Sequence, residues 1–165
     1  MTKSSETAYL AGGCGWIMQQ LLRHPAGVIS TRNGWMGGHG ANPTEYDSGG
    51  HAETIEVVFD PERLSYRGLL EYWFQAHRAD LGEEVVGSIY RSEIFYASSE
   101  QRRVAEEMIQ DVDAAKHWLG KTATGISEAG VYWEAEPEAQ DYLQRFPVDC
   151  KPPFPRQAVP TATSS

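Results

Sequence analysis

Between Ala52 and Phe59 the chain alternates, with Ile55, Val57 and Phe59 on one side and Glu56 on the other, so a half-buried strand is predicted there. Asp60-Pro61 ends it. Shorter apolar or β-branched runs predict further strands from Thr7 to Ala11, Val28 to Thr31, Glu93 to Ala97 and Thr122 to Ser127. Helical spacing replaces this alternation elsewhere. Trp16, Met18, Leu21 and Leu22 mark one helix, and Ser65 caps a second carrying Leu69, Leu70, Trp73, Phe74 and His77 on a broad apolar face. Ser98-Ser99 caps a third, in which Val104, Met108 and Val112 recur every four residues, and Pro137 suits the first turn of a short helix containing Tyr142 and Phe146. The glycine-rich stretch from Gly34 to Gly50, with Asn42-Pro43, reads as a long loop.

The resulting order, β-α-β-β-α-β-α-β, predicts an α+β fold: a two-layer sandwich in which helices pack on a mixed β-sheet around a split βαβ, ferredoxin-like core. Residues 1–146 form a single domain in this reading, and 147–165 a proline-rich, flexible C-terminal tail.

Composition narrows the functional classes. The chain of 165 residues is 41% hydrophobic and 22% charged, enough apolar material for one independent core. Its formal charge of −9 repels phosphate backbones and argues against a nucleic-acid partner. No apolar run approaches the roughly 18 residues of a membrane span, and the opening MTKSSETAY lacks a secretory h-region. A soluble, cytoplasmic protein without a membrane partner is expected.

Two cysteines, Cys14 and Cys150, are too few for a thiolate metal cluster or a disulfide framework. Cys14 stands where a strand turns into a helix, between Gly12-Gly13 and Gly15. The free N–H groups and positive dipole end of a helix favour thiolate, which prepares a nucleophile, although the same glycines also make plain tight turns. His51-Ala52-Glu53 matches the first half of a zinc-deaminase pattern, but no Pro-Cys-x-x-Cys follows, and no G-x-G-x-x-G or Walker loop is present. No metal site is expected. Glu53, on a half-buried strand, is either a solvated strand residue or a carboxyl whose pKa is raised enough to donate a proton near neutral pH. Tyr90 is either a core tyrosine or a phenolic donor.

Gly13-Cys14-Gly15-Trp16-Ile17, Gly34-Trp35-Met36-Gly37-Gly38, Gly50-His51-Ala52-Glu53, Phe59-Asp60-Pro61, Tyr90-Arg91-Ser92 and Tyr132-Trp133-Glu134-Ala135-Glu136 follow one another in the order and spacing of the peptide methionine sulfoxide reductase A family, which the chain resembles from about Ala8 to Phe146. The resemblance implies a thiol-dependent reductase of S-epimer methionine sulfoxide or a related, bulkier sulfoxide. In it the Cys14 thiolate attacks sulfur, a protonated Glu53 aided by Tyr90 donates to oxygen, and Cys14 becomes a sulfenic acid. Cys150 is placed like the family's resolving cysteine. A thioredoxin-like dithiol is the implied reductant, and no bound cofactor is implied. Gly15, Trp16, Trp35 and Val85 occupy the positions implied to surround the substrate, three of them altered. Gly15 replaces a cage phenylalanine, Trp35 a hydrogen-bonding tyrosine and Val85 an aspartate. Gln19 replaces an acidic residue and Ala139 a histidine, and the loop before Tyr90 is shortened. The loss of a cage wall predicts looser substrate choice. Two alternatives stand beside this reading: an enzyme on the same scaffold that uses Cys14 and Glu53 without net reduction, and a non-catalytic ligand-binding paralogue.

Overall fold

A computed structural model of the chain describes residues 4–116 and 120–147. Cys150 and the expected tail from 148 onward lie outside them. Among the described residues six strands form one sheet: β1 (Glu6–Gly12), β2 (Val28–Met36), β3 (Ala52–Phe59), β4 (Ser92–Tyr96), β5 (Gly125–Glu128) and β6 (Trp133–Glu134). Their order across the sheet is β5-β4-β1-β3-β2-β6, parallel between β4 and β5 and antiparallel elsewhere. With β3 inserted between β1 and β2, the first βαβ unit is split as predicted, and the sheet is mixed.

Alternation along the strands decides which side the helices cover. Leu10 pairs with Ile55 on one neighbour and Ile94 on the other, and Ala8 pairs with Val57, so these side chains share one face. On that face they bury against α1 (Gly15–Leu22), α2 (Tyr66–Ala76) and α4 (Ser99–Ala115), through Met18, Leu21, Leu22, Leu69, Trp73, Phe74, Met108 and Val112. A short α3 (Glu83–Val86) precedes β4, and α5 (Tyr142–Arg145) follows β6. The opposite face buries a smaller cluster of Ala11, Met36, Ala52 and Phe95 beneath Tyr9, Ala129 and Tyr132. The serines read as caps act as caps: Ser65 Oγ accepts from the Gly68 N–H at 2.9 Å and Ser98 Oγ from the Gln101 N–H at 3.1 Å.

Three expectations need correction. Gly34, Trp35 and Met36 belong to β2 and not to a loop, because they stay in register with Thr54, Glu53 and Ala52. Gly34 is accommodated there because the Tyr132 side chain and the Trp133 carbonyl occupy the space a Cβ would need as β6 docks. The helix expected at Pro137 is a 3-10 turn, Pro137–Ala139, separated from α5 by Asp141, whose φ of 54° interrupts the run. The last predicted strand is shorter than expected and begins at Gly125. Among the described residues no helix is long and apolar enough to cross a membrane.

Removing the α4 cap with Ser98→Ala is expected to cost about 1 kcal/mol. Thermal unfolding followed by circular dichroism should show a midpoint lower by roughly 2–4 °C.

Candidate functional site

The site grows from the end of β1, the strand flanked by β3 and β4. Gly13, at φ 112°, turns the chain out of the strand, and Cys14 follows as the N-cap of α1 with extended backbone. The first amides of a helix have no partner within it. Here the Gly15 N–H donates to Glu53 Oε1 at 2.7 Å, so the carboxyl on β3 is held at the helix end that carries the cysteine. Glu53 is half-buried and sits opposite Trp35, itself buried, in the β2–β3 register.

Burial pushes the Glu53 carboxyl above the usual carboxylate range, the Gly15 N–H draws it partway back, and the charge of Glu45 raises it further. Tyr90 ends a 3-10 turn, Ser88–Tyr90, and its phenol is pushed up by burial first, then by the charges of Glu53, Cys14 and Glu45. Cys14, Glu53 and Tyr90 are therefore electrostatic neighbours although 76 positions of sequence separate the first from the last. Cys14 is a free, half-buried thiol. The arrangement joins a nucleophile, a carboxyl inclined to hold its proton and a phenolic O–H, a set suited to attack on one atom with protonation of its neighbour.

A cavity of about 380 Å³ opens beside Cys14, bounded by Gly12 and Gly13 and, across from α1, by Leu81, Val86 and Tyr90. His77, Arg78 and Ser92 complete the lining. The polar lining groups are engaged with protein partners. His77 Nδ1 lies 2.9 Å from the Trp73 carbonyl and must donate to it, which in the neutral ring leaves Nε2 to accept from the Ser92 hydroxyl at 2.8 Å. Ser92 meets Thr124 in turn, and Arg78 is bound in two places by the Asp80 carboxylate. The reading of His77 as part of an apolar helix face missed its place in the cavity; its one-turn separation from Trp73 was the available signal.

Not every residue singled out in the sequence lines this cavity. Trp16 is 42% exposed and stacks on Tyr142 with centroids 3.9 Å apart. Val85 is 65% exposed, and its neighbour Val86 lines the cavity in its stead. Gly15 leaves no gap, because a Cβ there would overlap the side-chain amide of Asn33. The room expected where a cage wall is missing is thus taken by Asn33, and the open volume lies on the Val86 side. Asn33 is fixed from the far side, its Nδ2 donating to the Ala139 carbonyl and its backbone N–H to Gln140 Oε1 at 2.8 Å. Gln19 accepts from the Asp141 N–H and donates to Asp141 Oδ1, a two-way contact that a carboxylate in its place would not make. His51, half of the zinc-like pattern, accepts from the Gly38 N–H at Nδ1 and donates from Nε2 to the Gly40 carbonyl, so both ring nitrogens serve the loop. Among the described residues no group of three or more His, Cys, Asp or Glu side chains is arranged to hold a metal ion.

Residues 6–156 match the family model for peptide methionine sulfoxide reductase. The chain is 51% identical over 158 residues to a peptide methionine sulfoxide reductase MsrA of Nocardia farcinica, covering 93% of each chain. Among solved structures it resembles methionine sulfoxide reductase A of Corynebacterium diphtheriae, at 29% identity and a TM-score of 0.75, over 96% of this chain and 84% of that one. Mxr1 from Saccharomyces cerevisiae, in a structure with Trx2, shares the fold at 20% identity and a TM-score of 0.58, over 84% of this chain and 88% of that one.

Because Asn33 fills the space beside Gly15, Gly15→Ala is expected to destabilise the protein by about 1–3 kcal/mol, read in denaturant unfolding, and not to rebuild a substrate wall. Glu53→Gln keeps an acceptor for the Gly15 N–H and removes the charge. A carboxyl whose pKa is higher folded than unfolded binds more protons in the native state, so stability falls as pH rises from the unfolded to the raised folded value. The Gln variant should therefore gain in melting temperature over the parent as pH increases through that window.

Proposed function

The chain belongs to the peptide methionine sulfoxide reductase family, and we propose that it reduces the S-epimer of methionine sulfoxide, or a sulfoxide related to it, with Cys14 as nucleophile and Glu53 as acid. The observation that carries the assignment is the bond from Gly15 N–H to Glu53 Oε1, which ties the acid to the helix end where the thiol stands. It leaves Oε2 to carry the proton. In the reaction the Cys14 thiolate attacks the sulfoxide sulfur, the S–O bond breaks as oxygen passes to the cysteine sulfur, and Glu53, with Tyr90 as second donor, protonates that oxygen. The products are the thioether and Cys14 sulfenic acid, so the substrate has lost one oxygen and the thiol has gained it.

Cys150, the only other cysteine, is assigned the resolving step: its thiol condenses with the sulfenic acid to form a disulfide and release water. Residues 1–146 then act as the catalytic domain, and 147–165 as the segment that delivers Cys150. A thioredoxin-like dithiol is the assigned reductant, supported by the neighbour solved with Trx2 and consistent with a cytoplasmic location. Gly15 and Trp16 follow the reacting cysteine at the start of α1, and Trp35 stands opposite Glu53 in the β2–β3 register, which supports assigning them to the surroundings of the sulfur. For the rest of the substrate, the cavity favours a neutral, apolar group, since Leu81 and Val86 are apolar and Arg78, His77 and Ser92 are already engaged.

Incubation with each epimer of methionine sulfoxide, free and peptide-bound, and an excess of dithiothreitol tests the assignment. Thioether should form from the S-epimer alone, and Cys14→Ser should form none. Failure to consume any sulfoxide, or consumption of more than one equivalent per enzyme without a dithiol, would defeat it. Glu53→Gln should lower kcat by about 10²–10⁴-fold, and kcat/KM of the parent should decline as pH rises through the raised Glu53 pKa, because only the protonated carboxyl donates. Substrate added without reductant should yield a Cys14–Cys150 disulfide by mass spectrometry; a persistent sulfenic acid would reassign resolution to an external thiol.

A further inference from the structure

Arg91, between the Ser88–Tyr90 turn and β4, makes contacts that reach well beyond its neighbours in the chain. Its side chain is only 13% exposed, and Nε donates to Glu93 Oε1 at 2.7 Å, while Ser127 Oγ holds the other Glu93 oxygen. The remaining guanidinium donors go to three backbone carbonyls: Nη1 to Ser88 at 2.7 Å and to Gly50 at 2.9 Å, and Nη2 to Gly37 at 3.3 Å. Those carbonyls belong to the segments that carry the reacting groups. Gly37 and Gly50 lie near the two ends of the glycine-rich loop between β2 and β3, which contains Glu45 and leads three residues later to Glu53. Ser88 opens the 3-10 turn that ends at Tyr90.

We propose that Arg91 is a positioning residue for sulfoxide reduction, one guanidinium that closes the Gly37–Gly50 loop and locks it to the Tyr90 turn, so that the distance from acid to phenol is set before substrate arrives. The proposal rests on the reductase reading above. Its physical basis is the shape of the side chain. A planar fork with five N–H donors engages Glu93 and three carbonyls at once, whereas an ammonium offers three donors from one point. Gly37, at φ 92°, and Gly50, at φ 81°, give the loop wide conformational freedom that a single fixed anchor removes. His51 adds a second tie through Gly38 and Gly40, so the loop is held on both sides of its turn while Glu45 stays within electrostatic range of Glu53 and Tyr90. A misplacement of about 1 Å in such an arrangement costs on the order of 10² in rate.

Arg91→Ala and Arg91→Lys in the full chain test this, assayed with S-epimer methionine sulfoxide and dithiothreitol after thermal unfolding has established the folded fraction. The Ala variant should lose about 10²-fold in kcat with KM nearly unchanged, and Lys should recover only part of the loss. The groups facing Glu53 are the Gly15 N–H, Glu45, Tyr90 and Cys14. Loosening the loop lets water reach the carboxyl and separates it from Glu45, so the falling limb of the pH profile should move to lower pH in both variants. Added guanidinium ion at millimolar concentration should restore part of the Ala variant's kcat and none of a Cys14→Ser variant's. Two results would overturn the proposal: parent-like kcat in the Lys variant, or a loss that follows the folded fraction with an unmoved pH limb. Should the Ala variant not fold, the pH limb and kcat of the Lys variant decide. A parent enzyme inactive on every sulfoxide would instead defeat the reductase reading, and the proposal with it.

Discussion

A single hydrogen bond, from the amide of Gly15 to the carboxyl of Glu53, organises this molecule's chemistry. It satisfies a helix-terminal donor that would otherwise need water, and it does so with a side chain from the adjacent sheet. Helix α1 is thereby fixed against β3 at the residue following the cysteine. The bond also bears on the proton: it favours the anion, burial favours the acid, and burial is the larger influence. The carboxyl is thus held in place by a contact that lowers its pKa by less than burial raises it.

Three of the positions read in the sequence as departures from the family signature, Gly15, Gln19 and Ala139, form a connected set. Without a side chain at residue 15, the amide of Asn33 lies over the first turn of α1. Asn33 is held by Ala139 and Gln140, and the following Asp141 is held by Gln19 from inside the same helix. Asp141 also accepts from Arg23, just past the end of α1, so Gln19, Arg23 and Asn33 meet the segment Ala139–Asp141 that leads into α5. What reads in the sequence as isolated losses is, in three dimensions, one polar interface. The Gln19 amide both donates and accepts across this interface, whereas the Asn33 side chain contributes its Nδ2 donor.

Much of the fold was legible because it rests on local signals. The two-residue period of β3 and the serine caps of α2 and α4 depend on nearby residues, and the split βαβ follows from the order of elements. Cys14 at a strand-to-helix turn and Glu53 on a half-buried strand could be placed for the same reason. The extension of β2 through Gly34–Met36 could not, because a glycine is tolerated there only once Tyr132, nearly a hundred residues later, fills the space above it. Nor could the roles of Asn33, His77 and Arg91, whose side chains act on segments distant in the chain. Val85 and Val86 show the finer limit: in a short helix, counting along a shortened loop does not tell which of two valines turns inward.

Cys14 stands just beyond the end of β1, a strand braced on either side, while β5 and β6 form the outer margins of the sheet. Insertions or sequence drift at those margins are separated from β1 by β4 on one side and by β3 and β2 on the other. None of the residues lining the cavity beside Cys14 comes from β5 or β6, so a change at either margin reaches that pocket only through the strands between.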